Sequence, residues 1–223
     1  MKLFVIIVAG GTGQRFGSAI PKQFLLLHGK PILMRTIEAF LAYDPSMQII
    51  ITLPPDYIQL WQSLCKQYNF TVPHIFVEGG QTRFHSVKNG LNQIKEAGLV
   101  AVHDAVRPLV STAVIERCFQ TAKIKGNAVP VIPVVDSIRQ MTENGSVPVN
   151  RENFMQVQTP QVFDVLLLKN AYNTEYVPEF TDDASVVEKL GKEIFLVEGN
   201  KENIKITSQT DLSIAEALGH YFL

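Results

Sequence analysis

The residues that most clearly suggest chemistry follow the first apolar run and combine a glycine-rich loop with two cations. They are Gly10, Gly11, Gly13, Arg15 and Lys22. Glycines leave backbone N–H groups open to an anion, so a strand that ends in such a loop is typical of a phosphate site. A guanidinium and an ammonium nearby would stabilise the negative charge that develops when a phosphorus atom is attacked. The loop therefore predicts a nucleoside triphosphate site, and the alternative is a tight turn with two solvated cations.

Two common phosphate-binding motifs do not fit this loop. The dinucleotide fingerprint G-x-G-x-x-G would need a glycine where Phe16 stands, and the second apolar run ends in proline instead of an acidic residue. The Walker A motif needs a lysine after its last glycine, but Gly17 is followed by Ser18. The failed fingerprint disfavours an NAD-dependent dehydrogenase.

The composition indicates a globular protein that binds neither nucleic acid nor a membrane surface. The chain has 223 residues, 46% of them hydrophobic, a net charge of −1 and no long basic run. Its N-terminal apolar run of about six residues is too short for a secretory signal, and nothing approaches the ~18 apolar residues of a membrane span. Cys65 and Cys118 match no metal or redox spacing, so we expect two buried thiols in a reducing compartment. We predict a soluble, cytoplasmic protein.

Short apolar runs alternate with amphipathic segments of helical length up to residue 134. The predicted strands are 3–8, 48–53, 74–77, 99–103 and 127–134, and the predicted helices are 31–42, 55–68, 82–97 and 111–125, the third capped by Gly98. This alternation predicts an α/β fold in which a mostly parallel, Rossmann-like sheet lies between two layers of helices. The predicted elements beyond residue 160 are helices 164–174, 182–190 and 208–221, strand 193–199 and the strand-like run 203–207, all within one domain spanning 1–223.

The alternation of strand-like and helical segments ends after Val134. Two short β-like runs there surround Asn144-Gly145, a strong hairpin signal. We predict a hairpin arm over about residues 135–155. An exposed two-stranded hairpin is barely stable alone. A partner subunit would cover it, which makes the arm a candidate dimerisation element.

Seven stretches across the whole chain resemble, in order and spacing, the sugar-phosphate cytidylyltransferase family, and within it the enzymes that use 2-C-methyl-D-erythritol 4-phosphate. The stretches are "GGTGQRFG…PKQF", "EGGQTRFHSVKNGL", "HDAVRP", "VVDSIR", "QTPQVF", "TDDAS" and "EGNKENIKIT". The resemblance implies a nucleotidyltransferase fold and a reaction of CTP with this sugar-alcohol phosphate to give CDP-methylerythritol and pyrophosphate, in the non-mevalonate isoprenoid pathway. It also implies Mg²⁺ bound through the CTP phosphates and a homodimer in which each arm reaches toward the other subunit's site.

Two alternatives remain open at the level of sequence. The first is a ribitol-5-phosphate cytidylyltransferase, which shares the fold and the chemistry; the stretches "TDDAS" and "FMQVQTPQ" favour methylerythritol phosphate. The second is a non-catalytic nucleotide-binding regulator on the same fold. Such a regulator would be expected to lack one of the four cations that match the family, and this chain retains Arg15, Lys22, Arg151 and Lys205.

The resemblance assigns roles to individual residues on the nucleotide side. Arg15 and Lys22 would stabilise the transition state, although Gln14 stands where some relatives carry a second arginine. The residues expected around CTP are Ala9, Gly10, Gly11, Thr12, Gly80, Gln81, Ser86 and Ala105. Among these, Gly80, Gln81 and Ser86 would meet the cytosine.

The residues expected around the sugar-alcohol phosphate are Asp104, Arg107, Ser137, Arg151, Thr159, Thr181 and Lys205. Arg151 would grip the incoming phosphate from the neighbouring subunit and Lys205 would hold it near the α-phosphorus, so both are also predicted to be catalytic. Strand-like alternation over 203–207 would place Lys205 opposite the buried Ile204 and Ile206. The alternative for each cation is a plain surface or structural charge.

His103 precedes Asp104 and resembles a general base, but we expect it to be an ordinary buried histidine. The attacking group is a phosphate monoester, which is already largely dianionic near pH 7 and needs positioning rather than deprotonation. The predicted mechanism is an in-line attack on the α-phosphorus, with no covalent enzyme intermediate and no obligatory side-chain base. No side chain is assigned as a metal ligand.

Overall fold

The computed structural model of the chain describes residues 1–10 and 20–222, with side chains up to residue 219. The strands are β1 Lys2–Val8, β2 Leu26–Leu27, β3 Lys30–Pro31, β4 Gln48–Leu53, β5 Ile75–Glu78, β6 Gly98–Asp104, β7 Asn127–Pro133, β8 Ile138–Thr142, β9 Gly145–Val149, β10 Met155–Val157, β11 Gln161–Asp164 and β12 Leu196–Glu198. The α-helices are α1 Ile32–Tyr43, α2 Ile58–Gln67, α3 Arg83–Leu91, α4 Thr112–Lys125, α5 Val165–Ala171, α6 Asp183–Glu188 and α7 Gln209–Phe222. Short 3-10 turns lie at Lys22–Phe24, Pro55–Tyr57 and Arg151–Asn153.

The centre of the sheet is parallel and is buried on both faces. Strand β1 lies between β4 and β6, and β5 pairs with β4 at the edge. Along β1, Val5 and Ile7 belong to one hydrophobic cluster, whereas Phe4 and Ile6 belong to another. Successive strand residues point to opposite faces, so the two clusters are the two sides of the sheet. The predicted α/β fold with helices on both faces is confirmed.

The other half of the sheet contains reversed strands that the sequence pattern did not indicate. Strand β11 runs antiparallel between β6 and β7, and β10 pairs antiparallel with β7. Strand β12 pairs parallel with β7. The sheet is therefore mixed and mostly parallel, and residues before β11 approach the end of β6, where β11 begins.

Three loops leave the parallel strands at their carboxyl ends and continue the ladder by one bond each. The N–H of Ala9 donates to the Thr52 carbonyl, and the N–H of Gly79 donates to the Leu53 carbonyl. The N–H of Ala105 donates to the carbonyl of Val8, the last residue of β1. Because ligands in open α/β sheets bind beyond the carboxyl ends of the strands, these bonds hold three candidate binding loops at one edge.

The predicted hairpin arm is present, formed by β8 and β9 as a separate two-stranded sheet. Thr142 pairs with Gly145, so the two-residue loop is Glu143–Asn144 and Gly145 begins β9 with a positive φ of 128°. Several large apolar side chains on and beside the arm are exposed: Val135, Met141, Val147, Phe154, Met155 and Val157.

Three local predictions are wrong. Helix α3 ends at Leu91 because the following bonds tighten to the i→i+3 pattern, with the N–H of Ile94 donating to Leu91. Gly98 does not cap that helix but begins β6, where an added Cβ would lie 2.2 Å from the Lys2 carbonyl oxygen. The run 203–207 forms no strand, although the N–H of Ile206 does donate to Val106.

Across the described ranges, no helix combines the length and apolar character that crossing a membrane requires. Cys118 is buried, Cys65 is only partly buried, and both are free thiols. The prediction of two buried cysteines thus holds fully for Cys118, and the cytoplasmic location stays a prediction.

Candidate active site

Two cavities at the carboxyl edge of the sheet share one wall. The first has a volume of about 290 Å³ and the second a volume of about 280 Å³. Arg83, Asp104 and Lys205 line both of them. Two molecules that filled the two cavities would therefore meet at these three side chains.

Asp104 is the electrostatic centre of this wall. Lys205 Nζ lies 3.0 Å from Asp104 Oδ2, Arg107 Nε lies 3.2 Å from the same oxygen, and Arg83 Nε lies 3.9 Å from Oδ1. Burial would raise the pKa of the Asp104 carboxyl, but Lys205, Arg83 and Arg107 outweigh burial and hold that pKa well below its ordinary value. The carboxylate stays ionised at neutral pH, and it fixes the positions of the cations around it.

The first cavity contains the described residues that were predicted to bind the nucleotide. Its lining includes Ala9, Gly10, Lys22, Gly80, Gln81, Ser86 and Ala105. Lys205, predicted on the acceptor side, lines it as well. The predictions for Gly11, Thr12 and Arg15 lie outside the described residues.

Two hydrogen bonds within the protein hold the Ser86 side chain in the first cavity. Its hydroxyl accepts a 3.0 Å hydrogen bond from the N–H of Gly80 and donates a 3.1 Å bond to the carbonyl of Thr82. A hydroxyl has one hydrogen and two lone pairs, so Ser86 retains a single lone pair for a ligand and recognises only a hydrogen-bond donor. A Cβ on Gly80 would lie 2.2 Å from the Cβ of His85, so this turn requires glycine.

Gln23 is a residue of the first cavity that the sequence reasoning missed. Gln23 is 1% exposed, and its Nε2 donates a 2.9 Å hydrogen bond to the carbonyl of Ala9. The bond ties the 3-10 turn that begins at Lys22 to the end of β1. The position of Gln23 directly after Lys22 was the available signal, but its partner lies 14 residues away and sequence could not name it.

The second cavity gathers five of the residues predicted for the acceptor: Asp104, Arg107, Thr159, Thr181 and Lys205. Ser137 and Arg151 line neither described cavity of this chain; both are exposed on the arm, where the Arg151 guanidinium donates to the carbonyl of Val135. The structure of one chain therefore brings together part of the predicted acceptor site and leaves its arm residues apart.

Arg83 was left without a role by the sequence reasoning, yet it joins the two cavities. Its Nη2 lies 2.6 Å from Oδ2 of the fully buried Asp183, whose other oxygen accepts a 2.6 Å bond from the Tyr172 hydroxyl. Burial would lower the pKa of Arg83, but Asp183 outweighs it and the pKa lies above its ordinary value. Burial, reinforced by Asp183, raises the pKa of Tyr172. This network anchors α3, beside the first cavity, to α6, beside the second.

Comparisons with known proteins agree with this geometry. A model of the family described as 2-C-methyl-D-erythritol 4-phosphate cytidylyltransferase matches residues 3–220. The chain belongs to this family.

Relatives of that name span the full chain. The 2-C-methyl-D-erythritol 4-phosphate cytidylyltransferase of Phocaeicola vulgatus is 56% identical over 218 residues, which cover 98% of this chain and 100% of the relative. The crystal structure of the enzyme from Thermus thermophilus matches with a TM-score of 0.78 at 34% identity, covering 99% of this chain and 100% of that one. The enzyme from Francisella tularensis matches with a TM-score of 0.81 at 33% identity, covering 97% and 99%. The predicted family and its fold are confirmed, and the chain is a cytidylyltransferase.

The position of Lys205 in this cytidylyltransferase predicts a large effect of its removal. We expect Lys205→Ala to lower kcat/KM about 10²-fold or more, because a preorganised cation at the wall between two anionic ligands is lost. Steady-state kinetics with both substrates will measure the effect. The control is Lys201→Ala, since Lys201 is exposed in the preceding turn and its loss should leave kcat/KM within about twofold. Equal kinetics for the two variants would contradict the role of Lys205.

The hydrogen bonds of Ser86 predict that this residue helps to select the base of the nucleotide. Replacement by alanine removes the remaining lone pair, so kcat/KM for CTP should fall about tenfold or more and the preference for CTP over UTP should narrow. Turnover with each nucleotide will measure both quantities. Ser63→Ala removes an exposed helix serine and should change neither; an unchanged CTP-to-UTP ratio in Ser86→Ala would refute the assignment.

Proposed function

We propose that this protein transfers the cytidylyl group of CTP to 2-C-methyl-D-erythritol 4-phosphate and releases pyrophosphate, in the supply of isoprenoid precursors. The observation that carries the proposal is the pair of cavities that meet at Arg83, Asp104 and Lys205. A group transfer between two anionic molecules needs adjoining sites with cations where they meet, and this wall provides them.

The first cavity suits the nucleoside of CTP. The free lone pair of Ser86 can accept from the exocyclic amine of cytosine, whereas uracil presents a carbonyl oxygen at that position. The bare backbone of Gly10 and Gly80 leaves room for close approach, and Lys22 lies at the same cavity to meet the phosphates. This arrangement supports a pyrimidine nucleotide that carries an amine.

The second cavity suits a small polyol phosphate. Asp104 can accept hydrogen bonds from hydroxyl groups, while Lys205 and Arg107 supply positive charge for the phosphate. In the proposed step an oxygen of the acceptor phosphate bonds to the α-phosphorus of CTP, and the bond from that phosphorus to the β-phosphate bridging oxygen breaks. The acceptor is already dianionic, so no proton has to move to a side chain.

A divalent cation, which the family implies, would act through the nucleotide. Asp104 lines both cavities but is already surrounded by three cations, which makes it a poor ligand for a further one. The described residues therefore fit an Mg²⁺ ion carried by the CTP phosphates, where it would neutralise part of the charge on the leaving pyrophosphate.

A homodimer in which the arm completes the neighbouring site is part of the proposal. The arm exposes apolar side chains such as Met141 and Val147, which a partner subunit would cover. Arg151 and Ser137 sit on this arm, away from both described cavities of their own chain. Their predicted contact with the acceptor phosphate therefore needs a second subunit.

An assay with two acceptors tests the function. We expect rapid formation of CDP-methylerythritol from CTP and 2-C-methyl-D-erythritol 4-phosphate, and at most slow turnover of ribitol 5-phosphate. The full-length family match disfavours the ribitol substrate. Brisk CDP-ribitol formation with little CDP-methylerythritol would overturn the choice of acceptor, and no product from either would favour a regulator.

Complementation between inactive subunits tests the shared site. Co-expressed Lys22→Ala and Arg151→Ala chains should recover about a quarter of wild-type activity, because half of the dimers are mixed and each mixed dimer contains one intact site. The matched control pairs Lys22→Ala with Lys205→Ala, whose defects lie in the same cavity and cannot complement. If the first mixture is as inactive as the control, Arg151 does not act across the dimer.

A further inference from the structure

We propose that His103, a buried side chain that lines neither described cavity, is a positioning residue that holds the Thr159 hydroxyl as a hydrogen-bond acceptor toward the hydroxyl groups of the sugar-alcohol phosphate. The inference rests on the proposed function, because it concerns how the acceptor molecule is oriented in the second cavity. It assigns a role to a histidine that the reaction itself does not use.

Three hydrogen bonds link Asp104, Thr159, His103 and Arg107 in series, each residue donating to the next. Its Nε2 lies 3.1 Å from the carbonyl oxygen of Arg107, and its Nδ1 lies 3.0 Å from Oγ1 of Thr159. The backbone N–H of Asp104 in turn donates a 3.1 Å bond to the same Oγ1. Each of these partners belongs to a residue of the second cavity.

The direction of every bond follows from what each atom can do. A carbonyl oxygen can only accept, so the proton of the imidazole must be on Nε2. Burial lowers the pKa of His103 to about 4, so the ring is neutral near pH 7 and carries no second proton. Nδ1 is therefore bare and accepts from the Thr159 hydroxyl. The Thr159 hydroxyl donates its hydrogen to His103 Nδ1 and accepts the Asp104 N–H with one lone pair. One lone pair therefore remains for a ligand.

The imidazole has no room to change this arrangement. His103 is 0% exposed within β6, and its ring packs edge-on against Phe40 of α1 at a centroid distance of 4.9 Å. Phe40 is itself fully buried. A rotated ring would break the bond to Arg107 or to Thr159 without a new partner, which is costly for buried polar groups.

The fixed hydroxyl adds an oxygen that can only accept to a cavity in which Lys205 and Arg107 lie 3.0 and 3.2 Å from Asp104 Oδ2. Thr159 and the Asp104 carboxylate are acceptors only, so they suit the hydroxyl groups of a polyol and disfavour phosphate oxygens. Lys205 and Arg107 are donors only and suit the phosphate. A phosphate bound against Thr159 Oγ1 would meet an oxygen that has no hydrogen left to donate, so His103 contributes to orientation rather than to chemistry.

Two substitutions separate the two bonds of His103. Asparagine places its carboxamide near the former Nδ1. His103→Asn can therefore still accept the hydrogen bond from Thr159, but it loses the hydrogen bond to the Arg107 carbonyl. Glutamine places its amide near the former Nε2. His103→Gln can therefore still donate to the Arg107 carbonyl, but it no longer accepts the hydrogen bond from the Thr159 hydroxyl. We expect His103→Gln to raise the KM for the acceptor about tenfold, and His103→Asn to raise it less than about threefold. The KM for CTP should stay unchanged in both, because the first cavity is not involved.

A double-mutant comparison tests whether His103 acts through Thr159. In a Thr159→Val background, His103→Gln should raise the acceptor KM no further. If His103 had a structural role independent of Thr159, the second substitution would raise the acceptor KM again. Thr159→Ser retains the hydroxyl, so in that background His103→Gln should again raise the acceptor KM. Equal acceptor KM values for His103→Gln and wild type, or equal increases for the Gln and Asn variants, would overturn the inference.

Two controls keep the test decisive. Thermal melting shows which variants fold, and if His103→Gln does not fold, the Asn variant decides: an acceptor KM within threefold of wild type supports the role and a tenfold rise overturns it. Wild-type turnover of 2-C-methyl-D-erythritol 4-phosphate is measured first. Its absence would defeat the proposed function, whereas normal turnover with an unresponsive His103→Gln would defeat only the inference.

Discussion

The attraction between the Asp104 carboxylate and the cations around it is the interaction on which the site depends. Asp104 is 7% exposed, and a buried charge of this kind is tolerated only because Lys205, Arg107 and Arg83 surround it. In return it holds three long side chains from different parts of the chain in fixed places. Charge is thereby arranged before any substrate arrives, which is the condition for electrostatic stabilisation of a transition state.

The two cavities use different chemistry at a common wall. The first presents bare backbone and one hydroxyl whose hydrogen is already donated within the protein. In the second, we infer that ion pairs and buried hydrogen bonds determine which end of the acceptor molecule lies where. The Arg83–Asp183 pair connects the helices on which these two parts stand, so neither cavity is built independently of the other.

Much of the first cavity could be predicted because its residues directly follow strands, and the carboxyl ends of parallel strands share an edge. Arg83 and Gln23 could not, because a sequence shows that a side chain is polar but not which distant carboxylate or carbonyl it will meet. The strand predicted at 203–207 is absent for a related reason. Its alternation resembled a strand, but Asn203 is buried, where its amide donates to the Thr159 carbonyl and its own carbonyl accepts from Arg107.

The reversed direction of β11 has a consequence for how compactly two binding sites can be combined. Gln161 at the start of β11 is paired with Val102 near the end of β6, so the chain enters the sheet at the same edge where its neighbour leaves. Thr159 thereby reaches Asp104 from only two residues before the strand. Had β11 been parallel to β6, that residue would have emerged at the far edge, roughly a strand length of 10–15 Å away, and a separate long loop would have been needed to bring a second substrate beside the first.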